Sequence, residues 1–178
     1  MYKKIIVAGF GGQGVMMIGQ IIAQLANYRG YETLYFPSYG PETRGGTANC
    51  TVIISDKYIN SPIFDKADIL IILNKPSLDK FINKLENDGI ILYNSSLIGE
   101  NNKGFGVPIN EISTTLNNPK VSNMVMLGAF LELVKIFELE DVFYILNEYL
   151  GESKRHLLDI NKQAINLGIK YIIGEKNA

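Results

Sequence analysis

Residues 9 to 14 read Gly-Phe-Gly-Gly-Gln-Gly, between the apolar run Lys4-Ile5-Ile6-Val7-Ala8 and the helix-like stretch that starts at Val15. A strand, a glycine turn and a helix in that order let backbone N–H groups approach a ligand closely. The helix adds its unpaired first-turn donors and the positive end of its dipole. Such a turn is suited to an anion, and to phosphate above all. The spacing Gly9-x-Gly11-x-x-Gly14 is that of the dinucleotide fingerprint. That fingerprint also requires an acidic residue about 20 positions further on, at the end of the second strand, to hold ribose hydroxyls. The second strand expected here, residues 31–36, runs out into Pro37-Ser38-Tyr39, and its one carboxylate, Glu32, stands at the wrong end. No Lys-Ser or Lys-Thr pair follows Gly14, so the phosphate-loop NTPase pattern is also missing. The turn suits phosphate without specifying NAD or ATP.

A second segment of the same character spans residues 37–46, Pro-Ser-Tyr-Gly-Pro-Glu-Thr-Arg-Gly-Gly. Connections in α/β folds usually take about 2–6 residues, and a longer loop of this composition asks for a functional reason. It holds Arg44, the one guanidinium in either glycine segment.

The elements that must position these segments follow from periodicity. The first strand is continuously apolar, as in a strand covered on both faces. Val15, Ile18, Ile22 and Leu25 recur at helical spacing over residues 15–28, and Gly30 is placed to end that helix. Further strands are expected at 48–55, 58–60 (after a tight turn at Asp56-Lys57), 68–74, 90–93 (after a turn at Asp88-Gly89) and 105–107. Helices are expected at 76–85, near 110–116, and at 122–137, 139–149 and 154–173. The fold class this predicts is a three-layer α/β/α domain with a mostly parallel, Rossmann-like sheet and a helical C-terminal part.

The chain's 178 residues, 47% of them apolar, suffice for one full core, so a single domain over residues 1–178 is expected. Seventeen basic against 18 acidic residues, with no basic run, argue against a nucleic-acid partner. One cysteine excludes an internal disulfide, and it excludes any cysteine-ligated cluster or zinc site supplied by this chain alone. One histidine says the same of histidine-based metal sites. No apolar stretch reaches the roughly 18 residues of a membrane span, and the start of the chain lacks signal-peptide character. A cytoplasmic protein is expected.

Several residues have ordinary explanations. Cys50 alternates onto one face with Ala48 and Val52, as a small buried thiol does. His156 lies beside Lys154 and Arg155 with no triad partner and reads as a surface residue. Met124, Leu127, Leu131 and Val134 form a helical stripe of core or interface. Asp56, Asp65, Asp68 and Asp88 are scattered and make no paired-carboxylate site. No catalytic constellation and no metal site emerge. The glycine turn itself has a plain alternative, which is to let a helix pack tightly or a subunit dock.

Taken together, the segments are more specific. Gly9-Phe-Gly-Gly-Gln-Gly-Val, then Pro37-Ser-Tyr-Gly-Pro-Glu-Thr-Arg-Gly-Gly-Thr-Ala-Asn-Cys50, then Ser55-Asp56 and Ile59-Asn-Ser-Pro62 resemble the gamma subunit of 2-oxoacid:ferredoxin oxidoreductases. The likeness continues through Ala67-Asp68, Leu73-Asn74-Lys-Pro-Ser77, Asn94-Ser95-Ser96, Asn123-Met-Val-Met-Leu-Gly-Ala129 and Asn161-x-x-Ala164, and covers nearly the whole chain. The Ser38-Tyr39-Gly40-Pro41-Glu42 wording resembles subunits assigned to 2-oxoglutarate or branched-chain 2-oxoacids. Thr43 departs from the Met of many relatives.

The resemblance implies one subunit of an enzyme that oxidatively decarboxylates a 2-oxoacid, reduces ferredoxin and releases the acyl group as its coenzyme A thioester. It implies alpha, beta and ferredoxin-like delta subunits as partners. Thiamine diphosphate, Mg and the iron-sulfur clusters belong to those partners, and the isolated chain is expected to be inactive. In related gamma domains the glycine turn faces coenzyme A. That ligand carries a pyrophosphate and a 3′-phosphate, so a carboxylate aimed at its ribose would repel it, and none ends the second strand. The cofactor-binding residues so implied are Gly9, Gly11, Gly12, Gln13, Gly14, Ser38, Tyr39, Arg44, Gly45 and Gly46. The glycines and Gln13 would form a backbone nest with a side-chain amide, and Arg44 would contact phosphate or a partner carboxylate. Ser38 and Tyr39 would bond the pantetheine or a partner subunit. A purely structural docking subunit and a stand-alone nucleotide-binding domain remain the alternatives.

Overall fold

The computed structural model describes residues 1–38, 47–100 and 103–176. Two compact units are described in turn, Met1–Gly106 and Val107–Ala178.

The first unit carries β1 (Tyr2–Phe10), α1 (Val15–Tyr28), β2 (Glu32–Ser38), β3 (Thr47–Ser55), β4 (Ala67–Ile72), α2 (Lys75–Phe81), β5 (Leu85–Asn94) and α3 (Ser95–Ile98). With β6 (Phe105–Val107) the strands form one sheet in the order β2-β3-β1-β4-β5-β6. The α/β class is as expected, but the sheet is mixed and not mostly parallel. β4 runs parallel to β1 and β5 to β4, whereas β3 is antiparallel to both β1 and β2. The cause is chain length between strands. Parallel neighbours need a crossover of a dozen or more residues, and only residues 39–46 separate β2 from β3.

Alternation along β1 sends Ile5 and Val7 to one face and Ile6 and Ala8 to the other, and all four are buried. α1 packs across β1, β2 and β3. On the opposite face, Ile6, Ala8, Leu70, Ile72, Ile91 and Tyr93 form a cluster with Leu78 and Phe81 of α2. Within the first unit the sheet is therefore covered by α1 on one side and α2 on the other. α1 ends as the sequence predicts: Gly30 takes φ +80°, and its N–H donates to the Asn27 carbonyl at 2.9 Å.

One expected strand and one expected turn are absent for identifiable reasons. Residues 58–60 form no returning strand, because β3 is already paired on both edges and has none left to offer; Tyr58 is 78% exposed. Asp88-Gly89 is no separate turn. It lies inside β5, where the ladder to β4 shifts register between the pairs Ala67↔Leu85 and Ile69↔Ile90.

The second unit carries α4 (Ile109–Thr115), α5 (Ser122–Val134), α6 (Leu139–Leu150) and α7 (Leu158–Lys176). The last helix starts later than periodicity suggests because Glu152–Leu157 is a 3-10 turn, on which His156 is exposed. α5 is buried continuously from Asn123 to Leu131, including Met124, Leu127 and Leu131, and it lies directly against α7. The approach is set by two glycines. A Cβ at Gly128 would overlap the Ile165 carbonyl oxygen, and one at Gly168 would overlap the Val125 carbonyl oxygen. Among the described residues no helix is long and apolar enough to cross a membrane.

Cys50 sits under α1. It pairs with Val7 across the ladder, is fully buried, and its thiol donates to the Val15 carbonyl at 3.6 Å. Burial pushes the thiol pKa up to about 12, although a bond from the Gly19 backbone favours the thiolate. There is no space between them, since a Cβ at Gly19 would collide with Cys50 Sγ.

This packing sets three measurable outcomes. Gly128→Ala should destabilise the chain by about 3 kcal/mol or more in urea unfolding, because the Ile165 backbone cannot yield. Gly174→Ala, in the same bundle, meets nothing within 4 Å and should stabilise by up to about 1 kcal/mol through helix propensity alone. The native chain should resist alkylation at Cys50 at pH 8 and react only on unfolding, as followed by mass spectrometry; prompt native labelling would contradict the buried, protonated thiol.

Candidate functional site

The glycine turn joins β1 to α1 at the carboxyl end of β1, the edge at which open α/β sheets bind ligands. Its glycines have separate tasks. Gly9 is buried, and a Cβ there would press on Gln13 Oε1, Leu73 Cβ and Val15 Cγ2 at 2.8–2.9 Å. Gly12 and Gly14 take φ +90° and +79°, conformations that other residues adopt only with strain. Gly11 and Gly12 are exposed, and a Cβ at Gly12 would meet nothing within 4 Å. Gly14 is the N-cap of α1, with no side-chain cap and no acidic residue in the first turn. The dipole end of this fourteen-residue helix is thus left uncompensated by any carboxylate of its own first turn.

Gln13 has a different place from the one its sequence position suggests. Its Oε1 accepts from the Phe10 N–H at 2.7 Å and from Asn74 Nδ2 at 3.0 Å, while its Nε2 donates to the Leu73 carbonyl at 3.4 Å. The amide is engaged inside the chain, under the turn. The Gln13 N–H also donates to the Phe10 carbonyl at 3.2 Å, closing the turn on itself.

Asn74 and Asn94 are site residues that sequence reasoning gave no role. Each follows the carboxyl end of a parallel strand and caps the next helix. Asn74 Oδ1 accepts from the Ser77 N–H at 2.9 Å, and Asn94 Oδ1 accepts from the Ser96 N–H at 3.1 Å. Both are buried, at 2% and 0% exposure. Asn94 Nδ2 donates to the Leu73 carbonyl at 3.2 Å, the same oxygen that Gln13 reaches. The available signal was an Asn ahead of Ser at the end of an apolar strand, which reads as an N-cap.

Ser38 is exposed and ends β2. In register it stands opposite Asn49 of β3, which stands opposite Ala8 of β1. At about 4.8 Å per strand it lies about 10 Å across the same edge from the glycine turn. Thr47, the first residue of β3, pairs with Phe10. Both ends of the second glycine segment therefore emerge beside the first. Tyr39, Arg44, Gly45 and Gly46 fall outside the described residues. Glu32 pairs with Ser55 in the rank of Tyr2, at the opposite end of the sheet, about 20 Å from the edge where a ribose-binding carboxylate would have to stand. Among the described residues no group of three or more His, Cys, Asp or Glu side chains is placed to hold a metal.

Comparison with known proteins places this geometry. Residues 4–171 match the pyruvate ferredoxin/flavodoxin oxidoreductase family. The ketoisovalerate oxidoreductase subunit VorA of Methanothermobacter thermautotrophicus is 37% identical over 94% of this chain, which spans only 36% of VorA's length. The 2-oxoglutarate synthase subunit KorC of Methanocaldococcus jannaschii is 33% identical over 91% of this chain and 92% of its own. Among solved structures, the gamma subunit of a keto/oxoacid ferredoxin oxidoreductase from Geobacter sulfurreducens superposes with a TM-score of 0.80 at 28% identity, covering 97% of this chain and 99% of its own. A 2-oxoglutarate:ferredoxin oxidoreductase from Magnetococcus marinus, solved with 2-oxoglutarate, coenzyme A and succinyl-CoA bound, shares the fold. Its TM-score is 0.88 at 23% identity over 97% of this chain and 31% of that one. The chain belongs to the pyruvate ferredoxin/flavodoxin oxidoreductase family, among relatives that are subunits of 2-oxoacid:ferredoxin oxidoreductases.

Proposed function

We propose that this chain is the coenzyme A-binding, non-catalytic subunit of a 2-oxoacid:ferredoxin oxidoreductase acting on 2-oxoglutarate or a branched-chain 2-oxoacid. The observation that carries the reading is the exposed turn at Gly11-Gly12, opening α1 with no acidic residue in the helix's first turn, beside both ends of the second glycine segment. Phosphates are held by backbone donors and guanidinium groups, and this edge supplies the first directly. The KorC and VorA relatives support the choice of substrate class, and the coenzyme A complex of the Magnetococcus protein supports the choice of ligand.

In this reading thiamine diphosphate and iron-sulfur clusters, held by partner subunits, would supply the decarboxylation and the electron path to ferredoxin. This chain's residues bind and orient. The N–H groups of Gly11, Gly12 and the first turn of α1 hold the pyrophosphate, Gly12 and Gly14 keep side chains out of its way, and Arg44 takes a phosphate. The thiol end would thereby be directed away from this turn, toward the partner subunits. Alpha, beta and ferredoxin-like subunits are the partners implied. The single cysteine cannot ligate a cluster, and its buried thiol takes no part.

A second reading, a subunit that serves only to dock, draws on large apolar side chains left exposed in the first unit. Phe36 is 59%, Tyr58 78% and Ile63 82% exposed. Calorimetric titration separates the two. Heat with coenzyme A from the complete complex but not from the complex lacking this chain supports binding here; no difference between the two supports docking alone.

Steady-state kinetics of the reconstituted complex provide the sharper test. Arg44→Ala and Gly12→Ala should each raise KM for coenzyme A about tenfold, with KM for the 2-oxoacid changed less than twofold. An unchanged coenzyme A value for both would remove the assignment. The isolated chain should reduce no dye with any 2-oxoacid.

A further inference from the structure

We infer that Gln13, Asn74 and Asn94 are positioning residues that hold the glycine turn in its ligand-receiving shape by tying it to the carboxyl ends of β4 and β5. The inference rests on the coenzyme A reading for its functional consequence but not for its geometry.

The orientations of the amides are fixed by groups that can only donate. The Phe10 N–H donates to Gln13 Oε1, so the Gln13 Nε2 must point the other way, toward the Leu73 carbonyl. The Ser77 N–H donates to Asn74 Oδ1, so Asn74 Nδ2 must point to Gln13 Oε1. By the same logic the Ser96 N–H turns Asn94 Nδ2 toward the Leu73 carbonyl. Leu73 completes the tie, since its own N–H donates to the Ala8 carbonyl at 2.8 Å. The chain of contacts runs from the turn, through Gln13, to the residues that follow β4 and β5, and back to β1. Its inner members, Leu73, Asn74 and Asn94, are buried, where each unmade bond costs more than at the surface.

The turn needs such a tie. Gly12 and Gly14 stand at positive φ and have no side chain to anchor them, so the backbone is free to relax unless something beneath it is fixed. A Cβ at Gly9 would lie 2.8 Å from Gln13 Oε1, so only glycine there leaves the amide its place beneath the turn. Gln13 thus acts through the turn and not on the phosphate. The N–H groups that face the ligand are preorganised at the cost of an amide that never touches it.

The substitutions to make are Asn74→Ser and Asn94→Ser. Serine remains a good N-cap, so α2 and α3 keep their starts, while the amide donor to Gln13 or Leu73 is removed. Gln13→Ala removes the hub. Two readouts are taken on the full chain in its complex: hydrogen exchange at the Phe10 amide, and KM for coenzyme A against KM for the 2-oxoacid.

The expected result is about fivefold faster exchange at Phe10 in Asn74→Ser, more in Gln13→Ala, and a matching rise in KM for coenzyme A alone. The Asn74→Ser and Gln13→Ala effects should be non-additive in the double variant. Faster exchange with no change in the coenzyme A value would keep the positioning role and overturn the coenzyme A reading. Unchanged exchange in both Asn74→Ser and Gln13→Ala would overturn the positioning role, whatever the kinetics. If Asn74→Ser lost its fold, Asn94→Ser would carry the same two readouts.

Discussion

β3 lies antiparallel between β1 and β2, and the candidate site depends on that placement. Its ladder with β1 runs in register from Tyr2↔Ser55 to Phe10↔Thr47, and its ladder with β2 from Glu32↔Ser55 to Ser38↔Asn49. Because both neighbours pair along its length, β1 and β2 point the same way and end at the same edge. The segment after β2 must leave beside the turn after β1 and return beside it at Thr47. The glycine turn and the two strand ends that flank residues 39–46 are thereby brought to one edge of the sheet. The same placement closes both edges of β3, which is why the expected strand at 58–60 finds no partner.

Much of this was legible in the residues. The continuous apolar run of β1, the helical spacing of Val15, Ile18, Ile22 and Leu25, and Gly30 at the helix end all report local physics, and each is realised. The antiparallel return was legible too, in the shortness of the 39–46 connection, but the first-strand fingerprint drew the reading toward a mostly parallel sheet. What no local pattern contains is strand order. With β3 between β1 and β2, α1 lies against all three strands, and Gly19 makes room for Cys50 and Tyr35. The packing inside the second unit was hidden for a similar reason. The close approach of α5 and α7 rests on Gly128 and Gly168, forty residues apart, and only the packed backbones show why both lack a side chain.

At the site, the glycines were visible as a motif but their tasks were not. Sequence spacing treats Gly9, Gly11, Gly12 and Gly14 alike. The backbone separates them into one that packs against Gln13, two that need positive φ, and one that is simply exposed. Gln13 looked like a ligand donor because it lies among glycines, yet its amide is spent on Phe10, Asn74 and Leu73. Asn74 and Asn94, to which the sequence reading gave no role, cap helices and reach across strand ends as well. Polar side chains beneath an exposed turn set its shape, and shape is what a phosphate-binding backbone has to offer.

The central claim is that the turn at Gly11-Gly12 receives coenzyme A. The most direct measurement is an experimental structure of the whole complex with coenzyme A bound. The account predicts phosphate oxygens about 2.7–3.2 Å from the N–H groups of Gly11, Gly12 or the first turn of α1, with Gln13 still bonded to Asn74. Coenzyme A held entirely by other subunits, with this turn packed against protein, would contradict it.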